Sequence, residues 1–121
     1  MKEDVICLAI EQAKKSGHSC FKHGAVLLHG KHVVSFGHNT EVTKNNIFPS
    51  LHAEMAAIKN AKNMRIKKKS TPLCMVVIRI NKSGYLRFSK PCYNCQHIMK
   101  TNGIEKCCYS TENGKIDTIY L

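Results

Sequence analysis

Leu73-Cys74-Met75-Val76-Val77-Ile78-Arg79-Ile80 is a nearly continuous apolar run of strand length. A strand with one solvated face alternates apolar and polar residues, so a run without that alternation suits a strand covered on both faces. Such a strand belongs at the centre of a sheet with helices on either side. The rest of the chain can be placed outward from it.

Upstream, Glu3 to Lys15 carries Val5, Ile6, Leu8, Ala9 and Ala13 at helical spacing, with acids in the first turn, lysines in the last and Gly17 as a stop. Ala25-Val26-Leu27-Leu28 and Val33-Val34-Ser35-Phe36 flank His29-Gly30-Lys31-His32, which predicts an antiparallel hairpin. The stretch 40–50 is loop. Ser50 then stands as N-cap to a breaker-free, Ala-rich helix over 52–61, and residues 62–70 form a lysine-rich connection. Downstream, Asn81 to Gly84 is a turn, and Pro91 precedes a helix over 92–101 that stops at Asn102-Gly103. The runs Ile104 to Ser110 and Ile116 to Leu121 are separated by only Thr111 to Lys115. Adjacent parallel strands need a crossover of about a dozen residues, so these two pair antiparallel. The expected architecture is α/β, a mixed five-stranded sheet between helical layers, formed by residues 1–121 as one domain.

Composition narrows the class. The chain has 121 residues, 43% of them hydrophobic, and 19 Lys and Arg against 8 Asp and Glu, a formal charge of +11. That length excludes two independent domains, and scarce Gly and Pro without a sustained heptad exclude fibrous and disordered chains. The 7 Cys are an odd number, and Met1 to Asp4 lacks the apolar run of a secretion signal. No stretch approaches the ~20 apolar residues of a membrane span. The expectation is a protein of the cytoplasm, nuclear entry not excluded, with cysteines as thiols or metal ligands and a surface attracted to phosphates.

Two motifs carry chemistry, each at the start of a predicted helix: His52-Ala53-Glu54 and Pro91-Cys92-Tyr93-Asn94-Cys95. Either alone is weak. Together they supply one imidazole and two thiols, the three-ligand set with which catalytic zinc keeps a fourth position open. A Cys-x-x-Cys pair at a helix N-terminus lets both sulfurs face one ion, and the helix dipole favours the thiolates. Residues two apart on a helix point to nearly opposite sides, so Glu54 reads as an acid/base group rather than a fourth ligand. The competing readings are a core histidine with two buried thiols, or a structural zinc site completed by Cys74, Cys107, Cys108 or His97. Cys74 and Cys107-Cys108 lie in predicted strands, where small core residues are the simpler assignment.

On those residues the sequence resembles the cytidine deaminase superfamily, whose zinc signature is His/Cys-Ala-Glu followed by Pro-Cys-x-x-Cys. The predicted order of elements agrees from about Glu3 to Leu121. The resemblance implies a three-layer α/β/α cytidine deaminase-like fold and zinc as cofactor, held by His52, Cys92 and Cys95. It implies hydrolytic deamination, with water activated by the metal attacking C4 of a cytosine ring. Glu54 would take the water's proton, protonate the ring nitrogen and then serve the leaving amine.

Gly37-His38-Asn39-Thr40-Glu41 resembles the stretch in which free-nucleoside deaminases hold the ribose hydroxyl, which places Asn39 and Glu41, with Ala53, among substrate contacts. An antiparallel final hairpin also resembles the free-nucleoside branch, since other branches place a helix there. The stacking aromatic stays open among Phe21, Phe36, Phe48 and Tyr93. The expected substrate is a cytosine nucleoside or its monophosphate. Lys62, Arg65, Lys67, Lys68 and Lys69 favour the alternative, a deaminase editing RNA or DNA, and a non-catalytic zinc module binding nucleic acid is the reading from another class. A dimer or tetramer is expected, because so short a chain has little with which to close its own pocket.

Overall fold

The structure, a computed structural model, describes residues 3–17, 21–40, 52–61 and 72–121. Helix α1 (Glu3–Lys14) is followed by strands β1 (Lys22–His29) and β2 (His32–His38), helix α2 (Ala53–Ala61) and strand β3 (Leu73–Ile80). Strand β4 (Leu86–Arg87), helix α3 (Tyr93–Thr101) and strands β5 (Ile104–Ser110) and β6 (Ile116–Tyr120) complete the chain. The expected loop over 40–50 beyond Thr40, the Ser50 cap and the 62–70 connection lie outside the described residues.

Five strands run in the order β2-β1-β3-β5-β6. The predicted central strand is β3, with β1 antiparallel on one side and β5 parallel on the other. Its residues alternate between two cores. Met75 and Val77 join Ala57, Ile58 and Met99 on the α2/α3 side, whereas Cys74, Val76 and Ile78 join Ala9 and Ala13 on the α1 side. Both faces are covered, and that is why the run has no polar alternation. The three expected layers are therefore present.

The β1–β2 hairpin is tighter than expected, because His29 pairs with His32 and the turn reduces to Gly30-Lys31, with Gly30 at φ 63°. A two-residue connection of this kind uses positive φ to match the strand twist. The expected five-strand sheet gains a sixth member. Strand β4 is only two residues long, too short to carry a periodic signal, and pairs antiparallel with the end of β3. The final strands β5 and β6 pair antiparallel, as the short connection requires.

Two glycines set how closely helices approach the sheet. A Cβ on Gly24 would lie 2.5 Å from the Ala13 backbone nitrogen, and one on Gly37 would lie 2.8 Å from that of Ala57. Strand β1 thus touches α1, and β2 touches α2, backbone to backbone. No helix among the described residues is long and apolar enough to cross a membrane.

Candidate active site

The two motifs meet at two helix N-termini. His52 immediately precedes α2, and its carbonyl accepts the Ala56 N–H at 3.0 Å. Cys92 is the N-cap of α3, with extended backbone and no side-chain capping bond, and its carbonyl accepts the Gln96 N–H at 2.9 Å. Neither ligand candidate spends its side chain on closing the helix. Both positive helix ends favour negative charge in the space between them.

One ligand atom from each of His52, Cys92 and Cys95 lies within 4.8 Å of the others, and His52 Nδ1 stands 3.1 Å from Cys95 Sγ. Among the described residues this is the one such group, so Cys74, Cys107, Cys108 and His97 do not complete a four-ligand structural site. Cys74, Cys107 and Cys108 are instead buried in the sheet. Burial, then the Glu54 and Cys92 charges, push the Cys95 thiol well above its ordinary range. A divalent cation between these donors reverses that balance and favours thiolates, so the donor set fits zinc and leaves an open coordination position.

Glu54 stands in the first turn of α2, buried at 5% exposure, outside the ligand group. Burial pushes its carboxyl pKa up, opposed by its own backbone N–H and by His52. Raised carboxyl pKa values beside a candidate metal are what a proton shuttle at neutral pH requires. Glu54 shares a cavity of about 270 Å³ with His52, Ala53 and Cys92.

The opposite wall comes from β1 and the segment after β2. Asn39 is buried, and its Nδ2 donates to the Phe21 carbonyl at 2.6 Å while its Oδ1 accepts the His23 N–H at 2.9 Å. It clamps the entry of β1 to the exit of β2. Phe21, one of the four aromatic candidates, lines the cavity, with the Arg79 guanidinium 4.5 Å over its ring. Phe36 and Tyr93 are exposed and do not line it. Glu41, Phe48 and the basic cluster from Lys62 to Lys69 lie outside the described residues.

His23, Ser89 and Lys90 also line the cavity and carry no motif. The only sequence signal for Lys90 and Ser89 was their position just ahead of Pro91. His23 and Phe21 could have been found by noting that β1 must enter the sheet beside Asn39.

The family model described as the cytidine and deoxycytidylate deaminase zinc-binding region matches residues 1–111. The chain belongs to this family. It is a zinc-dependent hydrolytic deaminase. No curated protein sequence matches it significantly. In fold it is similar to a cytidine deaminase from Burkholderia pseudomallei, at 20% identity and TM-score 0.75 over 99% of this chain and 93% of that one. It is also similar to a cytidine deaminase from Mycobacterium tuberculosis, at 19% identity and TM-score 0.60 over 88% and 80% of the two chains. A dCMP deaminase from the cyanophage S-TIM5 is similar at 18% identity and TM-score 0.55 over 90% and 84%. Zinc is the metal of the matched family region, and the donor set of His52, Cys92 and Cys95 fits it.

Proposed function

We propose that residues 1–121 form a single deaminase domain that converts the cytosine base of a free nucleoside or its monophosphate to uracil, releasing ammonia. His52, Cys92 and Cys95 hold the zinc. The bound metal supplies Lewis-acid activation of water at neutral pH. Glu54 accepts a proton on its carboxylate from the attacking water, gives one to the ring nitrogen beside C4 and delivers another to the departing amine. Water adds and ammonia leaves, so the reaction needs no redox partner.

The observation that carries this reading is the buried Glu54 carboxyl in one cavity with a three-donor N/S group. At about 270 Å³ the cavity falls just below the ~300–1,000 Å³ typical of drug-sized ligand sites, in keeping with a ligand as small as a nucleoside. Phe21 offers the base an apolar wall, and Asn39, Glu41 and Ala53 are the proposed substrate contacts. The antiparallel β5–β6 pair supports the free-nucleoside branch. A reducing compartment such as the cytoplasm is part of the same reading, with the cysteines as thiols or metal ligands. Assembly into a dimer or tetramer would close the half-exposed Phe21 side of the pocket, and light scattering of the active protein tests this.

A second reading, editing of single-stranded nucleic acid, is favoured by a strip at the cavity mouth. Arg79 stacks on Phe21 and donates to the Phe88 carbonyl at 3.4 Å, with Phe88 exposed and Lys90 beside it. Aromatic and cationic groups in sequence suit stacked bases and phosphates. One assay separates the two: ammonia release from cytidine, deoxycytidine, their monophosphates, adenosine, and single-stranded RNA and DNA. Turnover of the free cytosine substrates alone supports the first reading. Turnover confined to polynucleotides, falling steeply with salt, would replace it with the second.

A further inference from the structure

Two buried serines belong to no motif. Ser110, fully buried, ends β5, and Ser89, 4% exposed, lies between β4 and α3 and lines the cavity. They meet where the sheet forks. Strand β3 pairs with β5 as far as Val77 and Tyr109, then pairs with β4 at Arg79 and Ile80. Where the first ladder stops, side chains take over its hydrogen bonds.

The Ser110 hydroxyl donates to the Arg87 carbonyl at 2.6 Å and accepts the Arg79 N–H at 3.0 Å. The Ser89 Oγ accepts the Ser110 N–H at 2.8 Å and donates to the Val77 carbonyl at 2.9 Å. The two hydroxyl oxygens are 2.8 Å apart, and the Ser89 N–H donates to the Ser110 carbonyl at 3.0 Å. Two hydroxyls thus tie three backbone segments together: the end of β3, the β4 exit and the end of β5. Buried polar groups bonded this densely restrict geometry more than an apolar contact does, because donors and acceptors must meet in direction as well as distance.

What they fix is the next three residues. Lys90, Pro91 and Cys92 all line the cavity, and the next anchor is the Gln96 Nε2 donating to the Pro91 carbonyl at 2.9 Å. We infer that Ser89 and Ser110 are positioning residues for the deamination, holding the segment 89–92 so that Cys92 Sγ stands with His52 and Cys95 and the cavity wall keeps its shape. This rests on the active-site reading above. The role argued for both serines runs through the backbone that carries Cys92, not through a bond to the metal.

The test compares Ser110→Ala, Ser89→Ala and the double variant with Ile78→Val, a core change on the α1 side of the sheet. Outer-layer supports of metal ligands typically cost about 10–100-fold in metal affinity, and a ~1 Å shift of a reacting group costs about 100-fold in rate. Zinc affinity, measured by competition with a chromophoric chelator, should therefore fall at least about tenfold in both serine variants. The kcat should fall with it, and the double variant should lose no more than the worse single one, since the pair acts as a unit. Ser110→Thr, which keeps the hydroxyl, should recover most of the loss. Ile78→Val should lower Tm while leaving zinc affinity and kcat within twofold. Serine variants that lower Tm yet keep both quantities within twofold would overturn the inference. Zinc affinity is read without substrate, so failure of the substrate assignment is distinguishable from failure of this one.

Discussion

Gly37→Ala should damage catalysis from outside the cavity. No positive φ is involved, so the cost is one of space alone. The new Cβ would lie 2.8 Å from both Ala56 Cβ and Ala57 N and 3.0 Å from Ala56 C, against the 3.4 Å at which ordinary contact begins. Two of those three atoms are backbone of α2, so no rotamer change relieves them. The helix must retreat by about 0.6 Å, since repulsion rises steeply inside carbon contact distance. Retreat stretches the bonds that seat it, Ser35 Oγ to the Ala57 carbonyl at 2.7 Å and Asn60 Nδ2 to the Phe36 carbonyl at 2.8 Å. Overpacking of this kind costs about 1–3 kcal/mol, or roughly 5–15 °C in Tm for a domain of this size. Because α2 carries Glu54 and follows directly from His52, a shift approaching 1 Å should lower kcat/KM by about 10–100-fold. Thermal melts and steady-state ammonia release measure both. A variant with Tm within 2 °C and activity within about threefold of the parent would refute the claim that this close contact sets the site.

Glu54→Gln should keep zinc and lose at least about 100-fold in turnover, the lower range for a positioned proton shuttle. It should also stabilise the metal-free protein at neutral pH. Burial raises the folded carboxyl pKa above its usual 4.5, so the folded state binds the proton more tightly than the unfolded chain. Stability therefore falls as pH rises above that value, and Gln removes the slope; parallel melts at pH 5 and pH 7 that show the same slope in both proteins would contradict this. Removing zinc with a chelator should lower Tm by roughly 10 °C or more at metal levels near 1,000 Kd, where binding is worth about 4 kcal/mol, and Cys95→Ala should abolish the difference. Gly24→Ala should leave little folded protein by circular dichroism, because its Cβ would sit on the Ala9 carbonyl oxygen and 2.5 Å from Ala13 N. Gly17→Ala, whose new Cβ would meet nothing within 4 Å among the described residues, should fold normally.

The sequence by itself determined the central strand, the helices around it and the direction of the last hairpin. Each is written in local terms: an unalternating apolar run, helical spacing with stops, and a connection too short for a crossover. It also picked out the candidate zinc donors and Glu54, because a metal demands donor types and a Cys-x-x-Cys spacing that residue identity alone expresses. Gly37 belongs to the stretch that resembles a substrate motif, and its lack of a Cβ also lets α2 reach β2, a requirement set by packing between elements distant in the chain. Strand β4 carries no period in two residues and exists because β3 changes partners. That Phe21 lines the cavity while Phe36 and Tyr93 do not depends on which wall the cavity has, and Ser89 and Ser110 acquire meaning only where two ladders part. Local patterns encode which face a residue buries; only tertiary structure decides which distant backbone groups it must satisfy.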